Sequence, residues 1–107
     1  MRFYRDTLGM PLIATTGNQR GRYPYRHYFF ELGKGNSIPF FEWQGRVEEF
    51  HKPAGLPASG RVQFDHVSFN VESAEALQEL RSQLEAHAVE VTPEVDHKIL
   101  RSIYFSD

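Results

Sequence analysis

A chain of 107 residues with a formal net charge of −2 is long enough for one hydrophobic core and too short for two independent domains. Its 12 Lys and Arg residues are scattered among 14 acidic ones, which leaves no basic surface for nucleic acid. With no cysteine and no apolar run of membrane-spanning length, the sequence excludes disulfides, a thiolate nucleophile and a transmembrane helix. Because the N-terminus also lacks the apolar stretch of a signal peptide, we expect a soluble cytoplasmic protein.

The first predicted element is the end of a helix at residues 3–9. Gly9 fits a C-terminal helix stop, and Pro11 prevents the helix from continuing. Alternation and turn residues then predict a short strand at residues 12–16 and a loop at 17–21. They also predict a hairpin at 25–43, with its turn at 33–36.

The second strand of this hairpin carries a carboxylate among apolar side chains. Alternation with period two puts Glu42 on the same face as Ile38 and Phe40. Burying that carboxylate unpaired would cost at least about 2 to 7 kcal/mol, so we expect a cation beside it. Both an arginine and a bound metal meet this requirement.

Residues 44–62 are rich in Pro and Gly and have no sustained periodicity, which indicates a linker. The run FDHVSFNV at 64–71 again alternates, with Phe64 and His66 on one face beside small polar residues and an apolar opposite face. This pattern predicts a strand. Its imidazole is either a hydrogen-bonded structural residue or a metal ligand.

A helix is predicted at residues 73–88, because Ser73 can cap it and leucines recur at spacings of three and four. Further strands are predicted at 89–92 and 99–105. The two halves of the chain then repeat one order of elements: helix end, strand, loop, strand, turn, strand. From this repeat we expect that the chain is truncated at both ends, before residue 1 and after residue 107.

Four segments carry a resemblance to a known family: residues 3–10, the strand ending at Glu42, residues 64–71 and residues 103–107. Together they resemble the vicinal oxygen chelate superfamily, which includes glyoxalase I, extradiol dioxygenases, and bleomycin- and fosfomycin-resistance proteins. The resemblance implies an α+β fold in which paired βαβββ modules form a curved mixed sheet with helices outside. Residues 1–43 would be the first module without its first strand, and 63–107 the second module without its last.

The resemblance also implies a site. Glu42 and His66 would be ligands of a divalent metal such as Zn, Ni, Mn or Fe(II), and the family's other two ligand positions lie outside residues 1–107. Phe40, Phe64 and Tyr104 would contact a small-molecule substrate. No catalytic acid or base is assigned, and a homodimer is the expected assembly.

Three functions are consistent with this site. A glyoxalase-like lyase or isomerase is favoured slightly by Glu42, since an extradiol-type dioxygenase resembles a two-His, one-carboxylate site that does not require it. A metal-free module that binds a drug or other small molecule fits the aromatic content equally well. As this chain supplies only two of the implied ligands, we expect the fragment itself to be inactive.

His27 and Arg101 are weaker candidates for substrate contact. His27 shares a predicted strand face with Phe29 and Glu31, and Arg101 shares one with Ile103. A solvated or edge position is the simpler interpretation for both.

Overall fold

The computed structural model describes residues 1–46, 51–57 and 66–107, which form two compact units divided between Phe50 and His51. The division lies within the predicted linker 44–62. Within the described ranges, no helix combines the length and apolar character needed to cross a membrane. Each unit is described separately below.

The first unit contains a three-stranded antiparallel sheet in the order β1-β2-β3, formed by Leu12–Asn18, Tyr25–Gly33 and Asn36–Glu42. A two-residue turn, Lys34 and Gly35, joins β2 to β3. Both turn residues have positive φ, 54° and 79°, as a turn matched to the twist of a hairpin requires. The predicted hairpin is therefore confirmed, and β1 runs two residues beyond its predicted end.

A five-residue π-helical turn, Phe3–Thr7, precedes the sheet and packs on one of its faces. Gly9 ends it with φ 67°, and the Met10 amide donates to the Tyr4 carbonyl at 2.9 Å. Tyr4 lies against Phe30 and Phe40, with ring centroids 5.8 and 4.2 Å away. Since Phe30 is only 1% exposed, these rings are the centre of the core in this unit.

The second unit contains the helix α1, Ala74–Ala86, which confirms the predicted helix to within two residues at its C-terminal end. The Ser73 hydroxyl accepts from the Ala76 amide at 3.1 Å, so the predicted cap is present. Leu77 and Leu84, two turns apart, are its buried residues.

The strand predicted at 89–92 is reduced to one bridge residue and that predicted at 99–105 to two residues and a bridge residue, while another short strand forms at 95–96, outside both predicted strands. Two-residue strands, β4 at Val95–Asp96 and β5 at Arg101–Ser102, pair antiparallel, and Val91 and Phe105 form an isolated bridge. Between them the Tyr104 amide donates to the Thr92 hydroxyl instead of to a backbone carbonyl, at 3.0 Å. The Thr92 amide still donates to the Tyr104 carbonyl at 2.9 Å, but Pro93 follows with no amide proton, so the backbone ladder is interrupted after this pair.

The strand predicted at 64–71 is not formed over its described part. Residues 66–71 have irregular backbone, and they pair with no strand of the described chain. The sequence of this segment alternates, but a strand also needs a neighbour to complete its backbone hydrogen bonds. The described elements, an antiparallel three-stranded sheet and one helix, are compatible with the α+β glyoxalase-like fold.

Candidate functional site

Glu42 ends β3 with its carboxylate held by neighbouring side chains. The Tyr28 hydroxyl donates to Glu42 Oε2 at 2.7 Å. The Arg26 guanidinium, on the residue directly opposite in the β2–β3 register, lies 3.8 Å from the same oxygen. The cation predicted beside Glu42 is therefore present, and it is an arginine.

These contacts keep the carboxylate ionised. The pKa of the Glu42 carboxyl lies below its ordinary value, chiefly because the Tyr28 hydroxyl donates to it. Partial burial acts in the opposite direction, and Gln44 and Arg26 add smaller lowering effects. Glu42 is thus an anion at neutral pH, with its side chain 35% exposed.

The β2–β3 register fixes which residues share each face of the sheet. Glu42 lies on the face of Phe30 and Phe40, as its alternation predicted. Tyr4 covers that face, which we call the helix-bearing face. Phe40 packs there, 4.2 Å from the Tyr4 ring, and a contact between Phe40 and substrate stays a prediction.

The opposite face carries a continuous cluster of rings, which we call the aromatic face: Tyr25, His27, Phe29, Phe41 and Trp43. The His27 and Phe41 rings are stacked with centroids 3.8 Å apart and planes 15° apart. Trp43 stacks on Phe41 at 5.1 Å, again at 15°. Phe41 is 47% and Trp43 40% exposed, so large apolar rings face solvent beside one another.

His27 is the polar member of the aromatic face. Its Nε2 is buried and has no hydrogen-bond partner among the described residues. The Phe29 ring lies 4.1 Å from the imidazole, and Phe41 stacks on it. The interpretation of His27 as a solvated or edge residue is wrong, because β2 is the central strand and the ring lies between two others.

The predicted residues of the second unit have different surroundings. His66 is exposed and lies in the irregular segment 66–71. Tyr104 is half-buried, and its hydroxyl lies 3.2 Å from His97 Nε2. Arg101 is solvated, at 3.3 Å from Glu94. Phe64 lies outside the described residues.

The donor set around Glu42 does not by itself fit a divalent metal. The part of the chain that the structure describes contains no group of three or more His, Asp or Glu residues able to hold one. At Glu42, a hydroxyl donor and a guanidinium already engage Oε2, and the guanidinium repels a second cation. The assignment of Glu42 and His66 as metal ligands stays a prediction.

Sequence reasoning missed Tyr28 and most of the aromatic face. The signal was present in the alternation of β2, since Tyr25, His27 and Phe29 share one side and Tyr28 and Phe30 the other. Which side chains of β3 lie beside these residues depends on the register between β2 and β3, and alternation within one strand does not give that register.

Comparison with known families gives one match. The family described as Glyoxalase/Bleomycin resistance protein/Dioxygenase superfamily matches residues 1–107, the whole chain. No curated protein and no solved structure matches the chain.

Proposed function

Because the chain belongs to the glyoxalase/bleomycin resistance protein/dioxygenase superfamily, we propose that it binds a small organic molecule on its aromatic face. The observation that carries this proposal is the row of stacked rings from His27 through Phe41 to Trp43, with two of the three strongly exposed. Planar apolar surface of this kind is costly to leave in water, and a flat ligand ring would cover it.

The arrangement favours a ligand with an aromatic or conjugated part. Stacked and edge-on ring contacts each contribute about 0.5 to 1.5 kcal/mol beyond the burial of area. Tyr25 adds an edge-on contact to Phe41, with centroids 5.6 Å apart and planes at 62°. The proposed activity is binding without a metal, the third of the functions that the sequence allows.

The test is the affinity for 2-naphthol, a planar probe of two fused rings with one hydroxyl. We expect Phe41→Ala to weaken binding about threefold to tenfold, because it removes the ring between His27 and Trp43. Tyr23→Ala is the matched control, since Tyr23 is 62% exposed and its ring contacts Arg22. Calorimetric titration measures both. Equal weakening by the two substitutions, or no binding to the unsubstituted chain, would contradict the proposal.

A second candidate is a metal-dependent lyase or isomerase, or an extradiol-type dioxygenase, with Glu42 and His66 as ligands. The family supports it, since its members often use a divalent metal, and Glu42 supplies a carboxylate of the kind that such a metal binds. Thermal melts with Zn²⁺, Ni²⁺, Mn²⁺ and Fe(II) test it. Metal-dependent stabilisation that His66→Ala removes and His87→Ala preserves would support this candidate, and identical melts of both variants would reject it.

We also propose a homodimer, because proteins of this family often act as dimers that bind small molecules. Sedimentation equilibrium at micromolar concentration should give twice the chain mass of 12.4 kDa. A mass that stays at one chain over the accessible concentrations would exclude the dimer.

A further inference from the structure

We infer that His27 selects ligands that carry an oxygen, by a hydrogen bond to its buried Nε2. This inference rests on the proposed function, since it concerns the same aromatic face. It identifies the ligand class as a planar ring system with a hydroxyl or another oxygen at its edge.

The first step is that His27 Nε2, which is buried, lacks a hydrogen bond within the described residues. A buried polar atom left unpaired costs about 1 to 3 kcal/mol, which is why such atoms are rare. The neighbouring Phe29 and Phe41 rings have neither a hydroxyl nor an amide to offer it. A ligand that pairs with Nε2 recovers this cost on binding.

The second step concerns how a ligand reaches His27 Nε2. Phe41, which stacks on the imidazole, is 47% exposed, and exposed side chains change rotamer within picoseconds to nanoseconds. A ring nitrogen hydrogen-bonds in the plane of its ring, so a ligand on the aromatic face pairs with Nε2 once the Phe41 ring moves aside and the imidazole turns its Nε2 edge toward the ligand.

The third step is the chemistry of the partner. A neutral imidazole carries its proton on one nitrogen, so Nε2 is either a donor or an acceptor. A hydroxyl can both donate and accept and therefore pairs with either tautomer. A carbonyl or carboxylate oxygen pairs only when Nε2 is protonated.

The test compares two probes that differ in one hydroxyl, 2-naphthol and naphthalene. For the unsubstituted chain we expect 2-naphthol to bind about tenfold more tightly. His27→Phe keeps a stacking ring but removes Nε2, so it should reduce that ratio to about one. His87→Phe is the control: this imidazole is exposed, and its Nδ1 already lies 2.9 Å from the Gln83 carbonyl.

A ¹⁵N NMR spectrum of the histidines tests the hydrogen bond to Nε2 in a second way and needs no variant. On addition of 2-naphthol the Nε2 resonance of His27 should move clearly further than on addition of naphthalene, whose ring current alone acts on it. If both probes bind equally and His27→Phe leaves their ratio unchanged, the inference is wrong although the aromatic face still binds ligand. If neither probe binds, the proposed function itself fails.

Discussion

On the helix-bearing face of the sheet, the Tyr28 hydroxyl and the Glu42 carboxylate meet at 2.7 Å, next to rings that Tyr4 covers. On the aromatic face, the rings of Phe41 and Trp43 are exposed, and His27 Nε2 lacks a hydrogen-bond partner within the described residues. The same two strands, β2 and β3, supply both faces. On the first face the buried ring of Phe30 lies beside a hydrogen-bonded carboxylate, whereas the second face has two exposed rings and a buried nitrogen without a partner among the described residues. We interpret the second as a face that a ligand completes.

The largest expected change in the free energy of unfolding comes from removing an aromatic ring from each face. Phe30→Ala removes a side chain that is 1% exposed and should lower the free energy of unfolding by about 3 to 5 kcal/mol. Phe41→Ala, on the aromatic face, removes a ring that is 47% exposed and should cost less than half as much. Urea unfolding measures both. Equal losses would mean that the aromatic face is part of the core, and the contrast between the faces would disappear.

His27→Phe sharpens the comparison, because it should stabilise the protein. The substitution keeps a ring next to Phe29 and Phe41 and removes the unpaired Nε2, so the free energy of unfolding should rise by about 1 kcal/mol. For a domain of this size, that is about 4 to 8 °C in Tm. The control His87→Phe should change Tm little. A destabilised His27→Phe variant would show that Nε2 contributes to the fold of the free protein.

Tyr28→Phe tests the helix-bearing face, where a polar pair is satisfied. Losing the hydroxyl donor to Glu42 should lower the free energy of unfolding by about 1 kcal/mol at pH 7. This is less than the ~1.5 to 3 kcal/mol typical of a charged acceptor, because the carboxylate is partly solvated. Since the folded-state pKa of Glu42 is lowered, its stabilisation is fully present above its ordinary pKa of about 4.5 and is lost as pH falls through the folded value.

The difference between Tyr28→Phe and the unsubstituted protein should therefore shrink in acid. Urea unfolding of both proteins over a pH series measures it. A difference independent of pH would assign the effect of Tyr28 to packing instead of to the Glu42 carboxylate.

The smallest effect is expected at Arg26. Its guanidinium is 3.8 Å from Glu42 and its side chain is 52% exposed, so Arg26→Gln should change the free energy of unfolding by no more than about 0.5 kcal/mol. That small change should vanish at an ionic strength of about 1 M, where the screening length is about 3 Å. A larger, salt-insensitive loss would mean that Arg26, and not Tyr28, is the main partner of Glu42.

The sequence predicted the hairpin, the cap at Ser73 and the helix stop at Gly9 because each depends on residues close together in the chain. It also placed Glu42 and Phe40 on one face. It did not show that Tyr4 would cover that face, because this packing brings together residues 36 positions apart.

Contacts between residues distant in the chain also explain two wrong predictions, the strand at 99–105 and the solvated His27. The strand predicted at 99–105 is shortened because a side chain, that of Thr92, takes the hydrogen bond of the Tyr104 amide. The sequence pattern favours a solvated His27, because the alternation of one strand does not show that Phe41 of β3 stacks on the imidazole. Alternation gives the face of a residue, and only cross-strand pairing gives its neighbours.

The most direct test of the aromatic face as the ligand site is a set of intermolecular nuclear Overhauser effects between 2-naphthol and the side chains of the isotope-labelled protein. Trp43, the single tryptophan of the sequence, gives an unambiguous indole signal. We predict contacts from the probe to the rings of Phe41 and Trp43 and none to Tyr4 or Phe40. Contacts to Tyr4 and Phe40, or to neither face, would contradict the account.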